Sequence, residues 1–460
     1  MKLHFFGAAQ EVTGTCYMLE TGSHRILIDC GIYQGGNGDS LRNQNPFPFK
    51  PAEIDAVFLT HAHMDHVGRV PQLIKRGYRG PIFATEPTVE LCKLLWRDMV
   101  HVMEDAAKRE DIPPLYDEID VMKAEGHLQA VEYGARLEIC AGAIKAAFRD
   151  AGHVLGSAFI EFEVEHRRTV FSGDLGNDDV PILRPTAGLD RPDVLVIEST
   201  YGDRLHEDPQ TRVAILRELV KSTIQKKGTL IIPAFAVERT QELMLALHHL
   251  AESGEIPRVP VFLDSPLAIA ATHVYEDFSR YFNAAVQKEF LMGHELFSLP
   301  GFMATKTVEM SKRINDVPSP KIIIAGSGMM TGGRVLHHLI RHLSDPHSTV
   351  MIVGFQGRGT LGRKLYEGAK TVRIHKQTVY VNATVRSIGA WSAHADQAKL
   401  LRWVSEAETK PEVIFVTHGE ENAAETLARK FRRDMKIDAY VPSPGQMFDL
   451  KVKGKTRRSE

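Results

Sequence analysis

Three histidines and an aspartate lie within six consecutive residues, directly after an apolar stretch that is typical of a β-strand. Residues 55–60 read Asp-Ala-Val-Phe-Leu-Thr, and residues 61–66 read His-Ala-His-Met-Asp-His. Residues 67–74 follow with the apolar spacing that predicts the first turns of a helix. A loop between a strand and a helix can hold several side chains around one point. Because neutral imidazole and carboxylate are preferred ligands of zinc and similar ions, this loop predicts a metal site.

The spacing within the loop predicts two neighbouring metal positions rather than one. We expect His61 and His63 to face one way, whereas Asp65 and His66 reach an adjacent position. One hexapeptide can therefore serve two metals. A polar turn whose histidines bind nothing is the alternative interpretation.

Polar residues follow predicted strands at four further places. These residues are Asp29 after an Ile-Leu-Ile run, His153 in a glycine-flanked turn, Asp174 after Thr-Val-Phe-Ser-Gly, and His418 after Val-Ile-Phe-Val-Thr. Asp29 is expected to orient a metal ligand through a hydrogen bond. Taken singly, each histidine is more often a hydrogen-bonded structural residue than a ligand.

Together with the loop, these residues complete a ligand set for two ions that share one carboxylate. The predicted ligands of the first ion are His61, His63 and His153. The predicted ligands of the second ion are Asp65, His66 and His418, with Asp174 as the bridge. We predict two Zn²⁺, with Mn²⁺ as an alternative, because the ligands are nitrogen and oxygen atoms.

The composition is that of a multidomain globular protein without a strong electrostatic bias. The chain has 460 residues, a formal net charge of -2 and 21 histidines. This length predicts two or three domains. The four cysteines form no CxxC pair, which argues against a zinc ribbon or a disulfide framework. No apolar stretch has the length of a membrane span and the N-terminus does not resemble a signal peptide, so we expect a cytoplasmic protein.

The pattern of predicted elements changes near residue 206. Short strands dominate the earlier part, which predicts an αβ/βα sandwich. Helices and buried strands then alternate, which predicts a doubly wound α/β unit. Strand-like spacing of the first kind resumes after residue 375. We therefore predict an α/β protein whose first domain spans 1–206 and 376–460, with an inserted domain at 207–375. The basic tail at 451–458 is either a solvated end or an arm that touches RNA.

The order of these motifs resembles that of the metallo-β-lactamase superfamily. Its aspartate, HxHxDH loop, histidine, aspartate and late histidine all have counterparts in this chain. Two further motifs, Glu198 after a strand and His394 in Ser-Ala-His-Ala-Asp, are similar to those of the β-CASP subfamily. The resemblance implies a metallo-β-lactamase sandwich with an inserted β-CASP domain. It also implies a nuclease, and His418 favours RNA over DNA as the substrate. The chain looks most like short bacterial relatives of the nuclease subunit that cleaves pre-mRNA 3′ ends.

The resemblance implies a metal-dependent ribonuclease that is mainly endonucleolytic, and it leaves an additional exonuclease activity open. We expect His394 to be the general acid and Glu198 to hold it charged, since imidazole suits proton transfer near neutral pH. Asp65 and Asp29 complete the predicted catalytic residues. A structural histidine beside an unrelated carboxylate is the alternative for His394.

Two glycine-rich segments of the insertion are candidates for RNA contact. Residues 326–334 combine small residues with a predicted helix start, which suits a phosphate. Residues 354–364 place three cations among glycines. A tight turn and a solvated loop are the respective alternatives, and the absence of a Gly-Lys-Ser/Thr ending argues against ATP binding. The predicted RNA-binding residues are Ser327, Gly328, Arg334, Arg358, Thr360, Arg363 and Arg239.

Two other functions use the same residues. One is the hydrolysis of a small ester or lactam, which leaves the large insertion and the Glu198–His394 pair without a role. The other is a scaffold subunit that binds RNA, which an intact ligand set opposes. RNA is the expected partner, and no membrane partner is expected. Relatives often pair, so a homodimer is one expected assembly.

Overall fold

The computed structural model describes residues 1–35, 38–110, 112–208, 211–450 and 457–458. Two compact units emerge from the contacts between residues. The first unit contains residues 1–34, 38–205 and the chain from 394 onward, and the second contains mainly residues 206–393. Most of the basic tail predicted at 451–458 lies outside the described residues. No helix among the described residues is long and apolar enough to cross a membrane.

Runs of consecutive strands occur in residues 1–197, whereas strands and helices alternate mainly between residues 211 and 366. In chain order the strands are β1 Lys2–Gly7, β2 Cys16–Thr21, β3 His24–Ile28, β4 Ala56–Phe58, β5 Ile82–Thr85, β6 Leu128–Val131, β7 Arg136–Ile139, β8 Ile144–Asp150, β9 Ala158–Val164, β10 Arg167–Phe171, β11 Val194–Ile197, β12 Thr229–Pro233, β13 Val261–Asp264, β14 Phe302–Ala304, β15 Lys321–Ala325, β16 Thr349–Val353, β17 Thr371–Ile374, β18 Gln377–Tyr380, β19 Thr384–Ile388, β20 Val413–Val416, β21 Asp438–Tyr440, β22 Gln446–Asp449 and β23 Arg457–Arg458. The α-helices are α1 Asp39–Gln44, α2 Met64–Val67, α3 Val70–Lys75, α4 Glu86–Glu110, α5 Glu118–Glu125, α6 Thr211–Gln225, α7 Arg239–Glu252, α8 Pro266–Asp277, α9 Ala284–Leu291, α10 Val308–Arg313, α11 Val335–His342, α12 Leu361–Tyr366, α13 Gln397–Ser405 and α14 Glu421–Lys430.

The first unit is a sandwich of two sheets. Within the described residues, one sheet has eight strands in the order β23-β22-β1-β2-β3-β4-β5-β6, and the other has seven in the order β21-β20-β11-β10-β9-β8-β7. Aromatic side chains from both sheets fill the space between them, including Phe58, Phe148, Phe162 and Phe171. The ring centroids of Phe58 and Phe162 lie 4.9 Å apart in an edge-to-face arrangement, which adds about 0.5–1.5 kcal/mol to the burial of their apolar area.

Helices cover the outer faces of this sandwich. Leu195 and Ile197 of β11 point away from the aromatic layer and pack with Leu400 of α13 and Leu427 of α14. On the eight-stranded sheet, α4 contacts β5 and β6. The predicted αβ/βα sandwich is confirmed. The alternation of side chains along each strand explains it, because successive residues face the two layers in turn.

The strands of the first unit that precede the candidate site residues run in common directions. The β3 and β4 strands are parallel neighbours, and β10, β11 and β20 are parallel neighbours in the other sheet. Strand β8 is antiparallel to β9, which is antiparallel to β10, so β8 runs with β10. The carboxyl ends of these strands therefore collect the residues that follow them at one edge of each sheet.

The second unit contains a parallel sheet, as predicted for the insertion. Its six strands lie in the order β14-β13-β15-β12-β16-β19, and every pair is parallel. Apolar residues of α11, among them Val335 and Leu339, pack on β15 and β16. The predicted domain edges at 206/207 and 375/376 stay predictions. The structural unit extends past residue 375 because β19 pairs with β16 rather than with strands of the first unit.

Candidate metal centre

The loop after β4 is fixed by a carboxylate from the end of β3. Asp29 has a left-handed backbone with φ of 59°, and its side chain accepts hydrogen bonds from the backbone N of Thr60 at 2.8 Å and from Thr60 Oγ1 at 2.7 Å. The same carboxylate lies 2.7 Å from Nδ1 of His66. Helix α2 begins directly after His63, so a strand end and a helix start together hold the hexapeptide.

The first group of candidate ligands converges on a single point. The Nε2 atom of His61 lies 3.0 Å from Nδ1 of His63, which lies 3.2 Å from Nε2 of His153. The Oδ2 atom of Asp174 is 3.4 Å from His61 Nε2 and 3.5 Å from His153 Nε2. Ligands of a tetrahedral zinc ion, about 2.0–2.1 Å from the metal, lie about 3.3–3.4 Å from one another. The four atoms therefore have the spacing of a metal-ligand set.

The second group lies beside the first and uses the other oxygen of Asp174. The Nε2 atoms of His66 and His418 are 3.0 Å apart. The Oδ1 atom of Asp174 is 3.3 Å from His66 Nε2, and Asp65 Oδ2 is 3.5 Å from His418 Nε2. Asp174 thus directs one carboxylate oxygen to each group, which is the geometry of a bridging ligand. The structure brings all seven predicted ligands together.

The environment of Asp174 fits divalent cations. Its side chain is buried, with 1% of its surface exposed. Within the described part of the chain, neither carboxylate oxygen has a hydrogen-bond partner. A buried carboxylate without hydrogen bonds is costly unless a cation compensates it. Imidazole and carboxylate donors in this number suit zinc and related ions, so the residues present fit two such cations.

The charge states of His61, His63 and Asp174 agree with metal binding. Burial lowers the pKa of His63 to about 4 and lowers that of His61 well below its usual range. Both imidazoles are therefore neutral near pH 7, which is the form that binds a metal. Burial opposes ionisation of Asp174, but the nearby imidazoles of His418 and His66 outweigh it and hold its pKa well below normal.

Glu198 and His394 form a pair at the edge of the first group. The Nδ1 atom of His394 lies 3.2 Å from Glu198 Oε2 and 3.8 Å from Asp174 Oδ2. Glu198 Oε1 also accepts a hydrogen bond from the backbone N of Leu175 at 2.7 Å. Burial opposes protonation of His394, but the charges of Glu198 and Asp174 raise its pKa above normal. The pair therefore favours the protonated form of an imidazole that lies next to the candidate metal ligands.

Two threonines that the sequence analysis did not select also hold ligands in place. Thr60 contacts Asp29, as described above, and Thr200 Oγ1 lies 3.1 Å from Nδ1 of His418. Thr60 immediately precedes the hexapeptide, and Thr200 lies two residues after Glu198. A hydroxyl residue beside a predicted strand-end ligand is a signal that would have found both.

The loops that carry most of the predicted RNA-binding residues contact each other within the second unit. The backbone N of Gly362 donates to the carbonyl of Met329 at 3.2 Å, and Gln356 Nε2 donates to the carbonyl of Gly328 at 3.2 Å. Both loops follow the carboxyl ends of parallel strands, where open α/β sheets bind ligands. Arg358 is exposed in this region, and Arg363 pairs with Glu367 at 2.6 Å.

The remaining predicted RNA-binding residues make contacts within the protein. Thr360 caps α12 by accepting a hydrogen bond from the backbone N of Arg363 at 3.1 Å, and Ser327 Oγ accepts one from the backbone N of Thr331 at 3.0 Å. Arg334 donates to Asp264 Oδ1 at 2.8 Å. Arg239 is buried and contacts Glu242. The guanidinium groups of Arg334 and Arg239 are thus held by the second unit itself.

Family models of known proteins match three successive parts of the chain. Residues 9–82 match the family model of the metallo-β-lactamase superfamily. Residues 240–365 match that of the β-CASP domain, and residues 378–442 match a Zn-dependent metallo-hydrolase RNA specificity domain. A protein named as a ribonuclease from Thermus thermophilus is 41% identical over 429 residues, which cover 93% of this chain and 95% of that protein.

Two further relatives and one solved structure are similar over nearly the whole chain. The transcription termination factor FttA of Methanosarcina mazei is 34% identical over 95% of this chain and 70% of its own length. An RNase J-like protein of Methanocaldococcus jannaschii is 32% identical over 97% of this chain and 99% of its own. A crystal structure of a protein of unknown function from Enterococcus faecalis V583 shares the fold, with a TM-score of 0.54 and 12% identity over 97% of this chain and 99% of that one.

Proposed function

Because the chain belongs to the β-CASP RNA nucleases of the metallo-β-lactamase superfamily and is a metal-dependent hydrolase acting on RNA, we propose that it is a zinc-dependent endoribonuclease. The proposal includes two cations, with manganese as an alternative metal, and a secondary exonuclease activity. The observation that carries it is the position of Asp174, whose two oxygens each face a separate group of imidazoles.

Two groups of residues would each bind one cation. His61, His63 and His153 would hold one, and Asp65, His66 and His418 the other. Bound cations would lower the pKa of water and stabilise the charge of an in-line phosphoryl displacement. Asp65 is only partly buried, so its carboxylate is also the proposed acceptor for the proton of the attacking water. Asp29 holds His66 from the side away from His418.

His394 is the proposed proton donor. Glu198 accepts the hydrogen bond of His394 Nδ1, which leaves the proton on Nε2 available for transfer. In the reaction, the oxygen of water forms a bond to phosphorus and the bond from phosphorus to the 3′-oxygen breaks. The Nε2 proton then goes to the 3′-oxygen, so that the products carry a 3′-hydroxyl and a 5′-phosphate.

RNA contact in the second unit is proposed for the loops after β15 and β16. Ser327 offers a half-buried hydroxyl, and Gly328 is buried against the ring of Phe235, where it supports this loop. Arg358, Thr360 and Arg363 lie in the neighbouring loop. Cations that neutralise phosphates bind RNA without reading its sequence. Arg334 and Arg239 are buried or half-buried and paired, so they support the fold of this region more directly than they contact RNA.

One assay distinguishes this function from its alternatives. Purified protein is incubated with single-stranded RNA, DNA of matched sequence and a chromogenic lactam, with and without a chelator. We expect cleavage of RNA alone, lost with the chelator and restored by zinc. Turnover of the lactam alone would favour a small-molecule hydrolase, and RNA binding without cleavage would favour a scaffold. Either result contradicts the proposal.

Circular RNA then tests the endonuclease assignment, because a molecule without ends can be opened only by internal cleavage. His61→Ala and Asp174→Asn should lose both activity and bound metal. Cys140→Ser is the matched control, since Cys140 lies with His24 and Asp55 in a separate, partly exposed group of potential ligands. This variant should keep both bound ions and full activity.

A further inference from the structure

Arg239 is a buried arginine whose contacts join two distant parts of the second unit. It is 5% exposed and begins helix α7. Its Nη1 atom contacts the carboxylate of Glu242, which is also buried, and donates to the backbone carbonyl of Trp391 at 2.5 Å. A charge is expensive to bury unless it is paired. The arrangement therefore ties the start of α7 to the turn that follows β19.

The surroundings of Arg239 keep it in this position. Glu238, its neighbour in the chain, is fully buried and has a left-handed backbone with φ of 69°. The Glu238 carboxylate accepts a hydrogen bond from the hydroxyl of Tyr275, and burial raises the pKa of Glu238 well above normal. Strained backbone persists only where the surrounding structure holds it. The fixed backbone at Glu238 thus helps to direct the side chain of Arg239 toward Trp391.

Trp391 is held at both its backbone and its ring. The residue is 1% exposed and ends the short helical turn Gly389–Trp391. The guanidinium carbon of Arg212 lies 5.9 Å from its ring centroid. Three residues later comes His394, and beyond it the backbone N of Ala395 donates to the carbonyl of Leu175 at 2.7 Å. His394 therefore lies on a short piece of chain that is anchored on both sides.

We propose that Arg239 is a positioning residue for the proton donor. By fixing the Trp391 carbonyl, it fixes the chain immediately before His394 and hence the direction in which the imidazole presents its proton. The inference rests on the proposed function, in which His394 protonates the departing 3′-oxygen. It replaces the sequence-based assignment of Arg239 to RNA contact, because a side chain that is only 5% exposed has little surface to offer a phosphate.

The test compares leaving groups that need a proton with one that does not. The Arg239→Gln/Glu242→Gln variant removes both charges of the pair, and Arg239→Lys keeps the charge but shortens the reach. On RNA, we expect kcat to fall about 10- to 100-fold in each, since small misplacement of a catalytic group costs this much, while KM is unchanged. On bis(p-nitrophenyl) phosphate, whose p-nitrophenolate leaves without protonation, the rate should be unchanged.

His394→Ala provides the reference and Arg217→Gln the control. His394→Ala should show the same dependence on the leaving group, and adding the Arg239 substitutions to it should cost nothing further. Arg217 pairs with Glu255 on the surface at 2.6 Å, so its loss should change neither substrate.

Three results would overturn the inference. An equal loss on both substrates would indicate general damage, and a rise in KM alone would indicate RNA contact. An unchanged kcat on RNA would mean that Trp391 needs no such anchor. If His394→Ala itself lowers both rates equally, the acid role in the proposed function fails and this inference fails with it. If His394→Ala lowers only the rate on RNA but the Arg239 variants do not, the acid role stands and only the role of Arg239 is wrong.

Discussion

The carboxylate of Asp29 and the imidazole of His66 are hydrogen-bonded, with Oδ2 and Nδ1 2.7 Å apart. An ionised carboxylate can only accept, so the proton of the imidazole lies on Nδ1. In the neutral ring, which is the form that binds a metal, the Nε2 atom of His66 then carries the lone pair, and this atom lies 3.0 Å from Nε2 of His418. Asp29 thereby sets which nitrogen of His66 is available as a ligand.

Replacing Asp29 by Asn should weaken metal binding at the second group. Asn keeps the size of the side chain and tolerates the left-handed backbone at this position, but its amide is a poorer acceptor for the proton on His66. We expect about a 10- to 100-fold loss of metal affinity, as for other partners of ligating histidines. Competition with a chromogenic chelator measures it.

Asp55→Asn is the matched control, because Asp55 lies before β4 and is partly exposed. An Asp29→Asn protein with wild-type affinity for both ions would mean that His66 is oriented by the backbone alone.

His394→Ala should lower kcat without loss of metal. General acid catalysis contributes about 10²- to 10⁴-fold to turnover, so a fall of that size is expected on RNA. Elemental analysis should still find two ions per chain, since the seven proposed ligands remain. His394 also lies within reach of Asp174 and Glu198 as a potential ligand group. A variant that loses an ion together with its activity would make His394 a ligand instead of an acid.

Much of the fold could be predicted because short-range patterns determine it. Buried strands give apolar runs or alternation, and polar residues that end such runs stand out in the sequence. Strand β4 before the hexapeptide and β20 before His418 are of this kind. Because parallel neighbours share a direction, residues at their carboxyl ends meet whatever the distance in sequence. The candidate ligands could therefore be selected before the structure was known.

Features that depend on long-range partners could not be predicted. A surface arginine and a buried one look alike in sequence, and the buried Arg239 depends on the distant carbonyl of Trp391 as well as on Glu242 for the contacts of its Nη1 atom. Strand β19 has the spacing of an ordinary strand, and only its pairing with β16 places it in the second unit. The Trp391 carbonyl leaves no local signal near Arg239, and β16 leaves none near β19.

Asp264→Asn should destabilise the second unit in a pH-dependent way. Asp264 is fully buried and accepts from Arg334 at 2.8 Å and His338 at 2.7 Å. Burial opposes its ionisation, but the hydrogen bond from His338 and those from neighbouring hydroxyls and Arg334 hold its pKa well below normal. Removing one partner of a buried ion pair costs about 3–5 kcal/mol. Urea unfolding at pH 7 should reveal this loss.

The sign of the pH dependence follows from the lowered pKa. A carboxyl group that is more acidic in the folded state adds stability above its unfolded pKa of about 3.9, and this contribution is lost as the pH falls toward the folded value. The difference between wild type and Asp264→Asn should therefore be constant from pH 7 to 5 and shrink below about pH 4. Glu276→Gln, at an exposed pair with His273 in the same unit, should leave the profile unchanged. A constant difference down to pH 3 would contradict the assignment.

Arg358→Ala and Arg363→Ala should weaken RNA binding through the loss of phosphate contacts. Each phosphate contact contributes about −0.7 to the slope of log affinity against log salt concentration for a single strand. The slope of the double variant should therefore be about 1.4 less negative than that of the wild type. Fluorescence anisotropy with labelled RNA and a chelator, to prevent cleavage, measures the slope between 50 and 200 mM salt. Arg373→Ala is the matched control, since Arg373 is exposed on β17 of the same unit. Equal slopes for all of these proteins would remove the loop after β16 from the RNA-binding surface.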